Sequence, residues 1–138
     1  DLKKQVVEDP RYKGNVTKVQ VRRLDLLLKE HGLSRVDYLS LDVEGAEIAA
    51  ITGAKRALQD GGVLIYEDHG SDLTSEVTAH LMELPGIRVY SIEKQPQLVE
   101  NLDHLTKIKT DRYKGYNFLA GQKGSALLGA IVQNLAKQ

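Results

Sequence analysis

The chain has 138 residues, enough for one domain with a hydrophobic core, and we interpret residues 1–138 as a single domain. Lys plus Arg and Asp plus Glu each number 19, so the net charge predicts no nucleic-acid partner. Cysteine is absent, which excludes disulfides, thiolate metal sites and cysteine nucleophiles. No apolar run approaches the roughly 20 residues of a membrane span and no signal peptide is visible, so we expect a cytoplasmic protein.

The first half of the chain alternates between strand-like and helix-like patterns. In chain order, the patterns predict a polar lead-in over residues 1–15, a strand over 18–23, a helix over 24–31, a strand over 36–43 and a helix over 46–59. The strand over 36–43 is mostly apolar, which is typical of a parallel strand buried on both faces.

The alternation continues in the second half. The patterns predict a strand over residues 63–67, a helix over 72–84, a strand over 87–92, a long loop with a helical turn over 93–114, a strand over 116–120 and a terminal helical segment over 124–138. Leu73, Val77, Leu81 and Leu84 have helical spacing and form the predicted apolar face of the helix over 72–84. In the terminal segment, Ser125 is the predicted cap of a helix over 126–137.

Strands that alternate with helices predict an α/β fold, an open sheet with helices on both faces. The strands over 36–43 and 63–67 are separated by one helix, so we expect them to be adjacent and parallel. A sheet core of four strands is expected.

Acidic residues follow both of these buried-type strands. Asp42 and Glu44 follow the first, and Glu67, Asp68 and His69 follow the second. Ligands of open α/β sheets bind outside the carboxyl ends of the strands, so these side chains are predicted to share one rim. The alternative is that the acids cap helices and stay solvated. For Asp42 the functional interpretation is favoured, because a carboxylate directly after a buried strand is costly to desolvate without a ligand or partner.

The segment "VDYLSLDVEGAEIAAITGA", residues 36–54, resembles the signature of the FkbM-type methyltransferases. That family has a short "LD" helix, then a strand that ends in Asp-x-Glu-Gly-x-Glu, then a helix. This chain supplies Leu24-Asp25 and, in matching order, Asp42, Glu44, Gly45 and Glu47. The similarity extends over residues 16–120. Ser40 stands where many members have lysine.

The resemblance implies a Rossmann-like methyltransferase sheet that uses S-adenosylmethionine. Such enzymes hold the cofactor at a glycine-rich turn after the first strand, but this chain has no Gly-x-Gly pair. It therefore resembles only the carboxyl-terminal half of the fold, and we expect a fragment or subunit without cofactor-binding residues of its own. We expect such a chain to be inactive until the missing amino-terminal half is supplied.

The resemblance also implies roles for the rim. Asp42 is the first candidate for orienting a methyl acceptor or removing its proton, with Glu44 and Glu67 as further acids. His69 is a candidate for proton transfer, since histidine exchanges protons near neutral pH. Asp42, Glu67 and Asp68 correspond in position to the acids of catechol-type O-methyltransferases, which makes a Mg²⁺ site conceivable.

Three function classes remain open. The first is O-methylation of a small-molecule acceptor, such as a sugar, glycan or glycolipid. The second is a non-catalytic module that self-associates or binds a partner through its strand edge and its terminal helix, where Leu128, Ile131 and Leu135 form an apolar stripe. The third is a metal-dependent glycosyltransferase that uses Asp42-Val43-Glu44.

Overall fold

The computed structural model of the protein describes residues 20–43 and 45–137, which form one mixed sheet with helices on both faces. The elements are α1 (Leu24–Glu30), β1 (Tyr38–Leu41), α2 (Glu47–Gly53), α3 (Lys55–Gln59), β2 (Val63–His69), α4 (Glu76–Glu83), β3 (Ile87–Ser91), β4 (Gln97–Leu98), α5 (Leu102–Ile108), β5 (Gly115–Gln122) and α6 (Ala126–Leu135).

The five strands of the sheet lie in the order β1-β2-β5-β3-β4. Strands β1 and β2 are adjacent and parallel, with Tyr38 opposite Val63 and Leu41 opposite Tyr66, as predicted. Strand β5 enters antiparallel between β2 and β3. This order is consistent with a Rossmann-like methyltransferase sheet.

Side chains of alternate residues on β2 point to opposite faces of the sheet, and each face has its own core. Leu64 and Tyr66 pack with Leu81 of α4 and Leu105 of α5 in the larger cluster. Val63 and Ile65 pack on the other face, against residues of α6. Helices therefore cover both faces, as expected from the alternation of elements.

Helix α6 closes the smaller core. Ser125 caps it, since its hydroxyl accepts a hydrogen bond from the backbone N–H of Leu128 at 3.3 Å. Leu128 is buried, and Ile131 and Leu135 pack beside it against the sheet. The apolar stripe considered above as an association surface is thus largely used inside the chain itself.

The structure corrects four of the predicted elements. The helix predicted over 72–84 spans Glu76–Glu83, so Leu73 lies outside it. Residues 20–23 are not in a strand, and Val21 is 90% exposed; residues 18 and 19 lie outside the described part. The helix predicted over 46–59 is two helices, because the Asp25 carboxylate accepts the backbone N–H groups of Arg56 and Ala57 and so caps α3 separately. The loop predicted over 93–114 contains β4 and α5.

The burial predicted for the strand over 36–43 is also wrong. Along β1, exposed residues alternate with half-buried ones, and Tyr38 is 51% exposed. Tyr38 and Ser40 of β1 lie opposite Val63 and Ile65 of β2. Helix α6 covers Val63 and Ile65 but leaves Tyr38 and Ser40 exposed. In the part of the chain that the structure describes, β2 is the one strand that pairs with β1, so β1 is an edge strand here.

Candidate active site at the carboxyl ends of β1 and β2

A pocket of about 410 Å³ lies at the carboxyl ends of β1 and β2. The lining residues include the four described members of the predicted rim, which are Asp42, Glu67, Asp68 and His69. Gly45, Glu47 and Asp72 complete its polar wall, and Leu41 and Val77 its apolar wall. The parallel pairing of β1 with β2 is what brings the two acidic strand ends together. Glu44, the remaining predicted site residue, lies outside the described residues.

Asp42 is exposed at the mouth of this pocket, directly after β1. The desolvation cost invoked for it from the sequence does not apply, because β1 is half-exposed. No hydrogen bond to its carboxylate forms among the described residues. The carboxylate is therefore open to an incoming ligand, and its catalytic role stays a prediction.

Glu47 has a structural task. Its two carboxylate oxygens accept the backbone N–H of Gly45, at 2.9 and 3.2 Å, in the first turn of α2. A carboxylate is favoured there because it satisfies an otherwise unpaired donor and faces the positive end of the helix. Gly45 has a φ of +93°, a left-handed conformation that favours glycine.

Glu67 points to the face of the sheet that α6 covers, and its carboxylate lies over Gly115 of β5. A Cβ atom at position 115 would overlap this carboxylate, so glycine makes room for it. Strand β5 is on the opposite side of β2 from β1, so the Glu67 carboxylate is turned away from β1. Glu67 and Asp42 thus border one pocket without converging on one point.

Glu93 and Lys114 form a charged pair near Glu67. Glu93 also accepts the backbone N–H of Asn117, the residue opposite Glu67 on β5, at 2.7 Å. Although burial by itself raises the pKa of Glu93, the hydrogen bonds from Lys114 and Asn117 outweigh it and hold the pKa below its ordinary value. This pair fastens the start of β5 beside the candidate site.

Asp68 lies on the opposite face of β2, in a buried network. Its carboxylate accepts Lys109 Nζ at 2.6 Å and the Thr78 hydroxyl at 2.7 Å. Because the hydroxyl hydrogen of Thr78 is used in this bond, the Tyr66 hydroxyl donates to Thr78 at 2.8 Å. Burial is the main reason that the pKa of Tyr66 is raised far above its usual range; the Thr78 hydrogen bond lowers it, and the charge of Asp68 adds to the rise.

In the sequence, Lys109 belongs to a basic group, Lys107 to Lys109, whose pattern predicts solvated side chains. That prediction is wrong for Lys109, whose side chain is only 5% exposed. Lys109 also donates to the carbonyl of Asp72 at 2.6 Å and to the hydroxyl of Ser75 at 2.8 Å. One ammonium group thus joins the end of α5 to β2 and to the turn before α4. Asp68 and Lys109 are 41 positions apart, so their contact leaves no local pattern in the sequence. Only an inferred burial of Asp68 could have indicated that its carboxylate needs a partner.

His69 is exposed, and its ring is held by Ser71. Nδ1 accepts the backbone N–H of Ser71 at 3.2 Å and lies 2.7 Å from its hydroxyl. A backbone N–H can only donate, so the neutral ring carries its proton on Nε2. In this arrangement Nε2 is a hydrogen-bond donor to the pocket, and proton removal by His69 stays a prediction.

The described residues give the Mg²⁺ hypothesis no support. No group of three or more His, Asp or Glu side chains in residues 20–43 and 45–137 is arranged to hold a metal ion. The carboxylate of Asp68 is neutralised by Lys109, and that of Glu67 is turned toward β5. The assignment of Asp42, Glu67 and Asp68 as ligands stays a prediction.

The place where S-adenosylmethionine would bind stays a prediction. A cradle for this cofactor needs glycines whose missing Cβ leaves space for a ligand. At Gly62, Gly70 and Gly115 that space is filled by the chain's own atoms; a Cβ at Gly62 would lie 2.7 Å from the Val36 carbonyl oxygen. No other described part of the chain lies within 4 Å of an added Cβ at Gly32, Gly45, Gly124 or Gly129.

These features define an α/β domain with an acidic pocket at the carboxyl ends of two parallel strands. A family model described as the methyltransferase FkbM domain matches residues 7–84, more than half of the chain. The chain belongs to this family, whose members typically use S-adenosylmethionine. The match contains β1, β2 and every predicted site residue, whereas residues 85–138 lie outside it. Searches of curated proteins and of solved structures found no match.

No helix among the described residues has the length and apolar character needed to cross a bilayer.

Proposed function

We propose that this chain supplies the acceptor side of an S-adenosylmethionine-dependent O-methyltransferase. The family match over residues 7–84 carries the proposal, because it includes the strand end that leads to Asp42. The pocket supports the proposal, because Asp42 and His69 both line it and it has room of about 410 Å³ for a hydroxyl-bearing ligand. A sugar or glycolipid-like hydroxyl is the proposed acceptor.

Each side chain then has a chemical task. Asp42 accepts the hydrogen bond of the acceptor hydroxyl and takes its proton. S-Adenosylmethionine, when bound, would supply the methyl group that this oxygen receives and would leave as S-adenosylhomocysteine. Nε2 of His69 donates a hydrogen bond to the acceptor and orients it. Glu67 borders the same pocket on its β5 side, where its exposed carboxylate is proposed to meet a further hydroxyl group, whereas the Asp72 carboxylate is used by the turn before α4. Positioned groups of this kind commonly contribute about 10²–10⁴-fold to a proton-transfer step.

The cofactor site is proposed to lie on the missing amino-terminal half. The sequence supports this, because it contains no Gly-x-Gly pair. Calorimetric titration of the full 138-residue chain with S-adenosylmethionine should show no saturable binding at micromolar cofactor. Addition of the amino-terminal half should create binding and transfer of a labelled methyl group to glycans. Saturable micromolar binding by the chain alone, or no transfer by the completed protein, would overturn the proposal.

A second proposal concerns association. The edge of β1 has no described strand partner and carries Tyr38, 51% exposed, so we propose that a second copy pairs there when the chain is alone. Light scattering over a concentration series tests this. A mass above the monomer that falls with Tyr38→Lys supports edge pairing, and a monomeric mass up to high micromolar concentration contradicts it.

The glycosyltransferase alternative predicts binding of a nucleotide sugar with Mn²⁺ at Asp42-Val43-Glu44. The family match does not favour it. A titration with a UDP-sugar and Mn²⁺ separates it from methyl transfer.

A further inference from the structure

A second cavity, of about 400 Å³, lies between the carboxyl end of β3, the carboxyl end of α5 and the loop that leads into β5. It shares no lining residue with the pocket that contains Asp42. Its lining residues lie between positions 91 and 116, so the whole cavity is outside the family match over residues 7–84. The proposed methyl transfer therefore gives this cavity no task.

Ser91 brings a buried hydroxyl to this cavity. It is the last residue of β3 and only 3% exposed, yet its hydroxyl forms no hydrogen bond among the described residues. Buried hydroxyls are normally paired, because an unpaired one costs free energy in the folded state. An unpaired hydroxyl that lines a cavity therefore indicates a ligand that would pair with it.

The charges around the cavity favour an anion. Lys94 follows β3, Lys107 is in the last turn of α5 and Lys114 precedes β5. Lys114 pairs with Glu93, whereas Lys94 and Lys107 form no ion pair among the described residues. Asp111 is the other acid of the lining, and its carboxylate accepts a backbone N–H of its own loop. Three lysines against two acids leave a positive balance, which attracts anions.

The side of the cavity next to β5 is held in place by the fold. The Tyr116 hydroxyl accepts the backbone N–H of Asp111 at 2.7 Å, and Lys114 Nζ lies 5.0 Å from the centre of the Tyr116 ring. The Lys114 carbonyl also accepts the backbone N–H of Gly70 at 2.8 Å. The loop is thus fastened at two points, which reduces the ordering that binding would require.

We propose that this cavity binds a phosphorylated small molecule. Its phosphate lies between the ammonium groups of Lys94 and Lys107 and accepts a hydrogen bond from the Ser91 hydroxyl, and its carbon skeleton lies along the Tyr116 ring. A phosphate offers several acceptor oxygens, which suits two ammonium groups and a hydroxyl. The cavity of about 400 Å³ is larger than a phosphate ion, so a phosphate monoester fits it better than free phosphate.

Titrations of the full chain, followed by NMR of ¹⁵N-labelled amides, test this proposal. The probes are ribose 5-phosphate, inorganic phosphate and, as the uncharged control, ribose. Ribose 5-phosphate should bind saturably at millimolar concentration and more tightly than inorganic phosphate, and ribose should not bind. The largest shifts should fall in residues 91–95 and 107–116. Added NaCl should weaken binding, because it screens the exposed ammonium charges.

Ser91→Ala gives the sharpest test, because the hydroxyl that it removes has no partner in the fold. Thermal stability should be unchanged or slightly higher, while ribose 5-phosphate should bind about tenfold more weakly for the loss of one hydrogen bond to a charged group. Lys107→Gln should weaken binding about two- to fivefold, as for an exposed ion pair. Lys123→Gln, at the other end of β5, is the matched control and should preserve the affinity.

Four results would overturn the inference. The first is no saturable binding of either phosphate probe, and the second is binding that Ser91→Ala leaves unchanged. The third is a loss of thermal stability in Ser91→Ala, which would show that the hydroxyl serves the fold. The fourth is an equal effect of Lys107→Gln and Lys123→Gln, which would reduce the binding to general attraction by charge. None of these results depends on methyl transfer, so the proposed function is tested separately.

Discussion

Glu67 and Asp68 are neighbours on β2 with the same chemical group, yet they lie in opposite surroundings. Asp68 is buried and bound by Lys109 and Thr78. Glu67 is exposed, and its carboxylate lies over Gly115 at the edge of an open pocket. They differ because successive side chains of a strand point to opposite faces of the sheet. Of two adjacent acids, one stabilises the fold and the other is available to a ligand.

The largest expected effect is on the buried side. Lys109→Met keeps the apolar stem but leaves Asp68 buried without its counter-charge, which typically costs about 3–5 kcal/mol of unfolding free energy. Arg56→Met is the matched control, since it breaks the exposed pair with Asp60 and should cost less than about 1 kcal/mol. Urea unfolding of both variants measures the difference. Equal losses of unfolding free energy in the two variants would show that the buried network stabilises the fold no more than an exposed ion pair does.

Two glycine substitutions compare a position where an added Cβ meets backbone with one where it meets a side chain. At Gly70 a Cβ would overlap the backbone carbonyl of Asp111, which cannot turn aside, so Gly70→Ala should cost about 1–3 kcal/mol. At Gly115 it would meet the flexible end of Glu67, and Gly115→Ala should cost less than about 1 kcal/mol by the same reasoning. Chemical denaturation measures both, and a reversed order would contradict the placement of Glu67.

Asp72 gives a smaller and pH-dependent effect. Burial alone raises its pKa, but hydrogen bonds from the Thr74 hydroxyl and from the backbone N–H groups of Glu76, Thr74 and Ser75 hold the pKa below the ordinary 3.8. Its stabilisation is therefore present above that value and is lost as the pH falls through the lower folded pKa. Asp72→Asn should cost about 1 kcal/mol at neutral pH, because an amide offers one acceptor oxygen where the carboxylate uses two, for Thr74 and for Glu76.

The pH series supplies the control for this prediction. The stability difference between the wild type and Asp72→Asn should shrink as the solution is acidified below the ordinary carboxyl range. Asp37→Asn, at an exposed carboxylate paired with Arg35, should change stability by at most about 0.5 kcal/mol. A constant difference at every pH would mean that the charge of Asp72 is irrelevant to the turn.

The smallest expected effect on stability belongs to the open side of β2. Glu67→Gln keeps the shape of the side chain and removes a charge that faces solvent, so unfolding free energy should change by less than about 0.5 kcal/mol. Thermal unfolding measures it. A loss comparable to that of Lys109→Met would erase the contrast between the two faces.

The sequence predicted the sheet better than the site. The parallel pairing of β1 with β2 followed from two apolar runs separated by one helical pattern. Over 93–114 the sequence predicted a helical turn within a loop but not the full helix α5, although Asn101, which caps it, was visible in the sequence. Its short length and polar surroundings hid the pattern. The error at Leu73 has the same origin, since helical spacing does not show where the Asp72 turn ends and α4 begins.

For the site, the sequence identified the residues but not their surroundings. Asp42, Glu67, Asp68 and His69 do line one pocket. The burial of Asp68 could have been inferred from its alternation with Leu64 and Tyr66. The role of Lys109 could not have been inferred in this way, because its bond to Asp68 depends on how α5 packs against the sheet. Long-range packing of a polar side chain leaves no periodic pattern in a sequence.

The central claim is that the acids on the open rim serve the acceptor and not the fold, and Asp42→Asn tests it most directly. Methyl transfer by the completed protein and unfolding of the same variant are measured side by side. The account predicts that turnover falls by about 10²-fold or more, while the unfolding free energy changes by less than about 0.5 kcal/mol. Unchanged turnover, or a loss of activity that only follows a loss of stability, would contradict it.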